Sequence, residues 1–452
     1  MKNKNRLLII WDEQLVGTLE RHTKGRVFFQ YSQDWLTHVE RPISLSLPCR
    51  EKKYSPAIST AFFENLLPEN NARTILAFNR RFDKKDTFAF LENFGEDCAG
   101  ALSIIHEKSK MDFAPGQYQC INTELMEALD KIMGSSGKYT LFPEMKKARL
   151  SIAGVQDKLP VYIENDQFYL PVTSGSATTH IIKPANAGFP DIPRNEAFCM
   201  ELARHAGLVV PDSKLMKIGN HELFVVNRYD REKTTRHAYM KTRPTNCNHR
   251  LSKFVVADEN DHVPAMPVIR IHQEDFCQAM GLPADRKYQE TGGPGFLQCR
   301  ELADEFLSDQ GVDVRSNFAN IMTFNYLIGN HDAHGKNFSI IHEPNLKFAP
   351  FYDLLSTQVY PLDNKFAMAI GQTFRLDRVK EHSFKKFARD INIRPQKLFS
   401  LMNEMFQAVT KAYAPLLAKH EKKYGQSKIY NDLFEVIRKN LEQLNRFGSA
   451  LV

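Results

Sequence analysis

An α+β fold, strand-rich at its start and mainly helical at its end, is what this 452-residue sequence predicts, and three observations carry it. Short apolar runs separated by turn residues open the chain, from Leu7 to Trp11, Val16 to Leu19 and Val27 to Phe29. Apolar residues at helical spacing close it: Leu398, Leu401, Met402, Met405, Phe406 and Val409, then Leu433, Phe434, Ile437, Leu441 and Leu444. Between them lies a polar loop, Gly329 to Ile341 (GNHDAHGKNFSII), which follows one helical run and leads into an apolar strand. The length exceeds one ordinary core, so two or three packed units are expected.

The first unit, 1–106, reads as a small β-rich subdomain. The alternation Ile43 to Pro48 (ISLSLP) predicts a half-buried strand and Phe62 to Glu69 (FFENLLPE) a helix stopped by proline, and Gly100 to Ile104 closes the unit. Glu107 to Gly116 is polar and forms the connection to the next unit. The second unit, 117–230, starts with a helix at Glu124 to Met133. Leu159 to Ile163 and Phe168 to Pro171 are strands, His180 to Lys183 is another, and a helix runs from Pro193 to Gly207. Leu215 to Ile218 and Leu223 to Val226, joined by Gly219 and Asn220, make a hairpin. The third unit, 231–452, is mainly helical. It opens with a basic run, Arg236 to Lys253, read as a solvated insertion. Gly292-Gly293-Pro294-Gly295 lacks the strand before it and the Lys-Ser or Lys-Thr after it that a P-loop requires, so it is a structural turn.

Composition narrows the setting. A net charge of +7 from 60 basic and 53 acidic residues excludes a nucleic-acid-coating protein and leaves room for a local basic face. The seven cysteines are scattered without a C-x-x-C pair, which argues against a disulfide framework or a zinc site and predicts a reduced cytoplasmic setting. The first apolar run is too short for a signal peptide or a membrane span.

The polar loop carries the chemistry. Asp332 and Asn337 stand at the interval of the H-R-D-x-x-x-x-N catalytic loop of protein kinases, where the aspartate accepts the substrate hydroxyl proton and the asparagine holds magnesium. The strand Phe338 to Ile341 and its return at Leu346 to Phe348 would deliver Asp353 beside Asn337 as the second magnesium ligand. Lys336 would meet phosphate charge. Lys183 ends an apolar strand, as the lysine of V-A-I-K does, and Glu196 in the first turn of the next helix would pair with it. Leu150 to Lys158 holds a single glycine between strand-like runs, the way a kinase covers ATP phosphates, although an ordinary hairpin reads the same. Asn227 to Asp230 marks the turn out of the sheet that borders adenine in a kinase. A rival reading exists, because GNHD also occurs in metallophosphoesterases; the upstream D-x-H and G-D motifs those enzymes need do not precede Gly329.

Taken in order, VGTL, ISLSLP, FFENLLPE, GALSI, SIAGVQDK, TTHIIKP, NEAFC, GLPADRKYQETGGPGF, GNHDAHGKNFS and FYDLLS resemble the HipA-like serine/threonine-protein kinases, toxins of bacterial type II toxin-antitoxin pairs. The resemblance implies a two-lobed protein-kinase-like fold with a family-specific N-terminal β-rich subdomain and a mainly helical C-terminal lobe. It implies ATP and Mg2+ as cofactors, Asp332 as catalytic base, Asn337 and Asp353 as metal ligands, and Lys183 as the phosphate-pairing lysine. Ala153, Gly154, Val155, Gln156, Asp157 and Lys158 would cover the phosphates, Asn227 and Tyr229 would border adenine, and His334 and Lys336 would complete the nucleotide contacts. Ser151 matches a serine whose autophosphorylation ejects the phosphate loop in members of the family. The implied partners are a HipB-like helix-turn-helix antitoxin, operator DNA mainly through that antitoxin, and a protein substrate such as an aminoacyl-tRNA synthetase. A catalytically silent co-repressor module is the alternative. The long basic insert after Asp230 departs from the family pattern.

Overall fold

The computed structural model describes residues 6–107, 118–134, 141, 157–172, 176–234, 268–307, 313–342 and 345–448. Ser151, the phosphate-loop positions Ala153 to Gln156, the basic run Arg236 to Lys253 and most of the Glu107 to Gly116 connection lie outside the described residues.

The opening strands pair as expected. β1 (Arg6–Trp11), β2 (Gln14–Arg21), β3 (Val27–Tyr31) and β4 (Ser103–His106) form an antiparallel sheet in the order β3-β2-β1-β4. Leu7, Ile9 and Trp11 alternate along β1 and all are buried, as a two-residue period requires of one face. A second, six-stranded sheet holds β5 (Tyr118–Cys120), β6 (Leu159–Glu164), β7 (Gln167–Pro171), β8 (His180–Pro184), β9 (Ser213–Ile218) and β10 (His221–Asn227). Its order is β5-β7-β6-β8-β10-β9.

This second sheet separates two apolar cores. Leu223 and Val225 of β10 join the core of the first sheet, with Leu7, Trp11, Phe62 and Phe63. Phe224 and Val226, on the opposite face, join the core that runs through Phe198, Phe318, Tyr413 and Leu433 into the C-terminal helices. The helix Ile192–His205 fills that second side, the long helices Pro395–Tyr424 and Lys428–Gly448 pack on it, and Val314–Ile328 packs on those two. β11 (Arg231–Lys233) pairs with β12 (Val268–Arg270), and a small sheet of β13 (Gln273–Asp275), β14 (Ser339–Ile341) and β15 (Lys347–Phe348) has β14 in its centre.

Two local expectations fail. Ile43 to Pro48 is not a strand; it folds into a tight turn closed by the single bridge Ser44–Leu47. The buried Glu274 carboxylate accepts from Ser44 Oγ at 2.6 Å and from the Leu45 N–H at 2.9 Å, which gives this backbone a partner other than a neighbouring strand. The helix expected over Phe62 to Glu69 spans Pro56–Glu64 and ends well before Pro68. Asn65 stops it, because its side-chain amide donates to Ala61 O and to Leu282 O, both at 2.8 Å.

Candidate active site

Lys183 is the penultimate residue of β8, held opposite Phe224 of β10, and its side chain is buried. Glu196 projects from the first turns of the helix Ile192–His205, whose start carries Pro193 at a position where a missing N–H costs nothing. The Lys183 ammonium lies 2.6 Å from Glu196 and 2.6 Å from Asp353. Burial alone would lower the Lys183 pKa, but the Asp353 and Glu196 carboxylates carry it above the ordinary lysine value. Asp353 is half-buried, its side chain 32% exposed, and Lys183 and Lys158 hold it well below the usual carboxylate range. Lys183 and Asp353 are therefore both charged, while burial pushes the Glu196 carboxyl up to about 7 against the pull of Lys183.

Asp353 has φ 60°, in the left-handed region that non-glycine residues seldom occupy. Its neighbours hold it there. Asn337 Nδ2 donates to its second oxygen at 2.9 Å, and Asn330 Nδ2 donates to its carbonyl at 3.4 Å. Two residues C-terminal of Leu354, Ser356 is fastened to the helix that carries Glu196: Asn195 Nδ2 donates to Ser356 O at 2.8 Å, and the Ser356 N–H donates to Asn195 Oδ1 at 3.0 Å.

The loop with Asp332 begins where the helix Val314–Ile328 ends at Gly329, φ 67°, whose N–H returns to the last turn as a left-handed cap. Asn330 Oδ1 accepts from the Asp332 N–H at 3.1 Å, and a single turn over Gly335–Asn337 leads into β14. Asn337 Oδ1 accepts from the His334 N–H at 3.1 Å. The turn at Gly292 to Gly295 packs onto this loop; a Cβ at Gly335 would lie 2.6 Å from Pro294 Cγ. Tyr288 O–H donates to Asp332 Oδ1 at 2.9 Å. Burial pushes the Asp332 carboxyl up to about 6, against the opposing pull of Lys287 and the Tyr288 hydrogen bond.

These side chains line one cavity of about 860 Å³, which also takes in Asp157, Lys158, Asn227 and Tyr229. Lys158 is brought close to Lys183, and burial together with that neighbouring charge lowers it to about 8. Burial raises Asp157 to about 7, and its carboxylate accepts from the Leu141 N–H at 2.9 Å. Tyr229 stacks on Tyr352 with ring centroids 5.8 Å apart. His334 is buried, its Nδ1 has no hydrogen-bond partner among the described residues, and burial with the Lys287 charge lowers it to about 3. Lys336 lines the same cavity, its ammonium 2.7 Å from Glu69 and 3.3 Å from Asn65 O.

Sequence reasoning gave no role to Tyr288, Glu69, Lys287 or Asn195, although the stretches that hold them were singled out. It also missed a buried ionic cluster behind the turn at Asn227 to Asp230. Asp97, from the first unit, meets Arg228 at 3.1 Å and Arg231 at 2.7 Å, with Arg270 at 3.5 Å; Arg228 and Arg231 are also paired with Asp230. A chain position just outside the first sheet gives no hint of arginines more than a hundred residues away.

Residues 150–413 match the HipA-like C-terminal domain and residues 7–105 match the HipA N-terminal domain. The chain belongs to the HipA family. Among HipA relatives, a Sinorhizobium fredii protein named "Putative kinase Y4mE" is 36% identical over 391 residues, covering 86% of each chain. The serine/threonine-protein kinase toxin HipA of Shewanella oneidensis is 26% identical over 421 residues, covering 89% of this chain and 87% of the relative. The solved complex of Shewanella oneidensis HipA with HipB and its operator DNA matches the fold with a TM-score of 0.77 at 22% identity, covering 98% of this chain and 97% of that one. The α+β architecture described above is thus that of HipA kinase toxins. Among the described residues, no helix is long and apolar enough to cross a membrane.

Proposed function

We propose that this chain is an ATP- and Mg2+-dependent protein serine/threonine kinase that acts as a growth-arresting toxin, is neutralised by a HipB-like helix-turn-helix antitoxin, and phosphorylates its own Ser151. The observation that carries the reading is the single ammonium of Lys183 held at 2.6 Å from both Glu196 and Asp353, with Asn337 on the same Asp353 carboxylate. That arrangement supports reading Lys183 as the phosphate-pairing lysine and Asp353 with Asn337 as the metal ligands.

The residue types fit magnesium: the Asp353 carboxylate, which already accepts a cationic group, would supply one hard oxygen, and Asn337, whose Nδ2 now faces Asp353 and whose Oδ1 accepts from the His334 N–H, would turn its amide to supply another. A bound ion would neutralise charge between the β and γ phosphates. Asp332, raised to about 6, is ionised at neutral pH yet basic enough to accept the proton of a serine or threonine hydroxyl. The hydroxyl oxygen then bonds to the γ-phosphorus as the bond to the β-phosphate oxygen breaks, and ADP leaves. Lys183 keeps its charge throughout and pairs with the phosphates. The similarity to the HipA–HipB–operator DNA complex supports a HipB-like antitoxin partner, and operator DNA reached through it and a protein substrate such as an aminoacyl-tRNA synthetase complete the proposal.

The test is incubation with labelled ATP and magnesium beside an Asp332→Ala variant, with mapping of any labelled residue. Label on Ser151 in the parent alone supports kinase activity and self-modification together. Equal label in the variant removes Asp332 as the base, and no label in a parent shown to be unphosphorylated at the start overturns the kinase reading.

A further inference from the structure

We propose that Glu69 is a positioning residue for phosphoryl transfer, a carboxylate lent by the N-terminal subdomain that clamps Lys336 and Lys287 and so fixes the loop bearing Asp332. This inference rests on the kinase reading above.

Glu69 lies in the short turn between the helices Pro56–Glu64 and Asn70–Arg80. It stands at the start of the second helix, but its side chain does not cap it. One carboxylate oxygen is 2.7 Å from Lys336 Nζ and the other is 2.7 Å from Lys287 Nζ. All three side chains are buried, at 9%, 4% and 5% exposure, so the pairings are not screened by water. The two lysines bracket Asp332. Lys336 lies within its loop, and Lys287 precedes Tyr288, whose hydroxyl donates to Asp332. The Gly335 N–H also donates to Lys287 O at 3.2 Å, which ties the two lysine segments to each other. Asn65, in the same turn region as Glu69, accepts from Lys336 and donates to Leu282 O. The subdomain thus reaches the catalytic loop through one anion shared by two cations. Without that anion the two buried ammonium groups would lose the contact they share and keep the longer-range pull of Asp275 on Lys336 and of Asp332 on Lys287, and the loop would have to move to solvate them.

Glu69→Gln keeps the shape and removes the charge, whereas Glu69→Asp keeps the charge on a shorter stem. In the full chain, Glu69→Gln is expected to lower kcat about 10- to 100-fold, the scale of a small misplacement of the base. ADP affinity, measured by calorimetry, should change by less than about twofold, since Lys183 and Asp353 grip the nucleotide independently. Hydrogen exchange should quicken at the amides of 330–337 while the rest of the chain is unchanged, and Glu69→Asp should recover part of kcat. An unchanged kcat overturns the proposal. So does a joint fall of kcat, ADP affinity and melting temperature with faster exchange throughout, which is general loosening. If Glu69→Gln does not fold, Glu69→Gln with Lys287→Met removes one cation with the anion and carries the same expectations. If the parent transfers no phosphate at all, the kinase reading fails, and the exchange pattern still decides whether Glu69 holds the loop.

Discussion

On the proposed role of Asp332 as base, acid should silence phosphoryl transfer well above the pH at which an ordinary aspartate titrates, and the structure says which residues set the midpoint. Asp332 is raised to about 6 because burial outweighs the Lys287 charge and the Tyr288 hydrogen bond, with Asp353 and Glu69 adding in the upward direction. A base of that pKa is about nine-tenths ionised at pH 7 and about one-tenth ionised at pH 5, so kcat/KM should fall roughly tenfold between them. The assay is transfer from labelled ATP to a serine acceptor, measured from pH 5 to pH 8 on the parent and on Tyr288→Phe. Removing the tyrosine hydroxyl removes a donor that favours the ionised carboxylate, so the midpoint should move upward. ATP titrates identically for both proteins, which makes the difference between the two profiles the decisive reading. The effect on folding has the opposite sense: with the folded pKa above the unfolded one, protonation between about pH 4 and 6 favours the folded state while it stops catalysis. A parent midpoint near 4, or a Tyr288→Phe profile displaced to lower pH, would refute the electrostatic account of the site.

Two further outcomes are expected. Asp97→Asn should destabilise the fold by about 3–5 kcal/mol in urea unfolding, because Arg228, Arg231 and Arg270 would share a buried site with one fewer anion; burial works against the Asp97 charge, yet the arginines hold it well below the usual range, so the stabilisation it gives is present above about pH 4 and is lost as pH falls. An unchanged unfolding midpoint would count against the cluster as a fastener. Asn195→Ala should cost about 1–3 kcal/mol for each Ser356 backbone group it leaves unpaired, measured the same way, and a loss under about 0.5 kcal/mol would mean that the segment after Asp353 is held by other contacts.

What the sequence made legible follows from how far apart the cooperating residues lie. Lys183 and Glu196 are joined by one strand and the helix beside it, and Asp332, Asn337 and Asp353 by one turn and a short hairpin, so local periodicity was enough to predict that each group would converge. The hairpin from Leu215 to Val226 and the left-handed Gly329 were readable for the same reason. Ile43 to Pro48 misled because an alternating pattern says only that one face is buried, not that a strand lies alongside to pair with it. Here the partner is the Glu274 carboxylate, contributed from 229 residues away and invisible to any window of the chain. The partner of Lys336 was unreadable for a related reason. Nothing near this lysine in sequence announces Glu69, whose bond to it spans 267 residues. The unread contacts share a direction: Glu69, Asp97 and Ser44 all reach from the first unit into the remainder of the chain. Buried charge is tolerated only where it is paired. The buried lysines and arginines at these contacts therefore mark where the first unit packs against the remainder of the chain, because each would be out of place there without the carboxylate that the first unit brings.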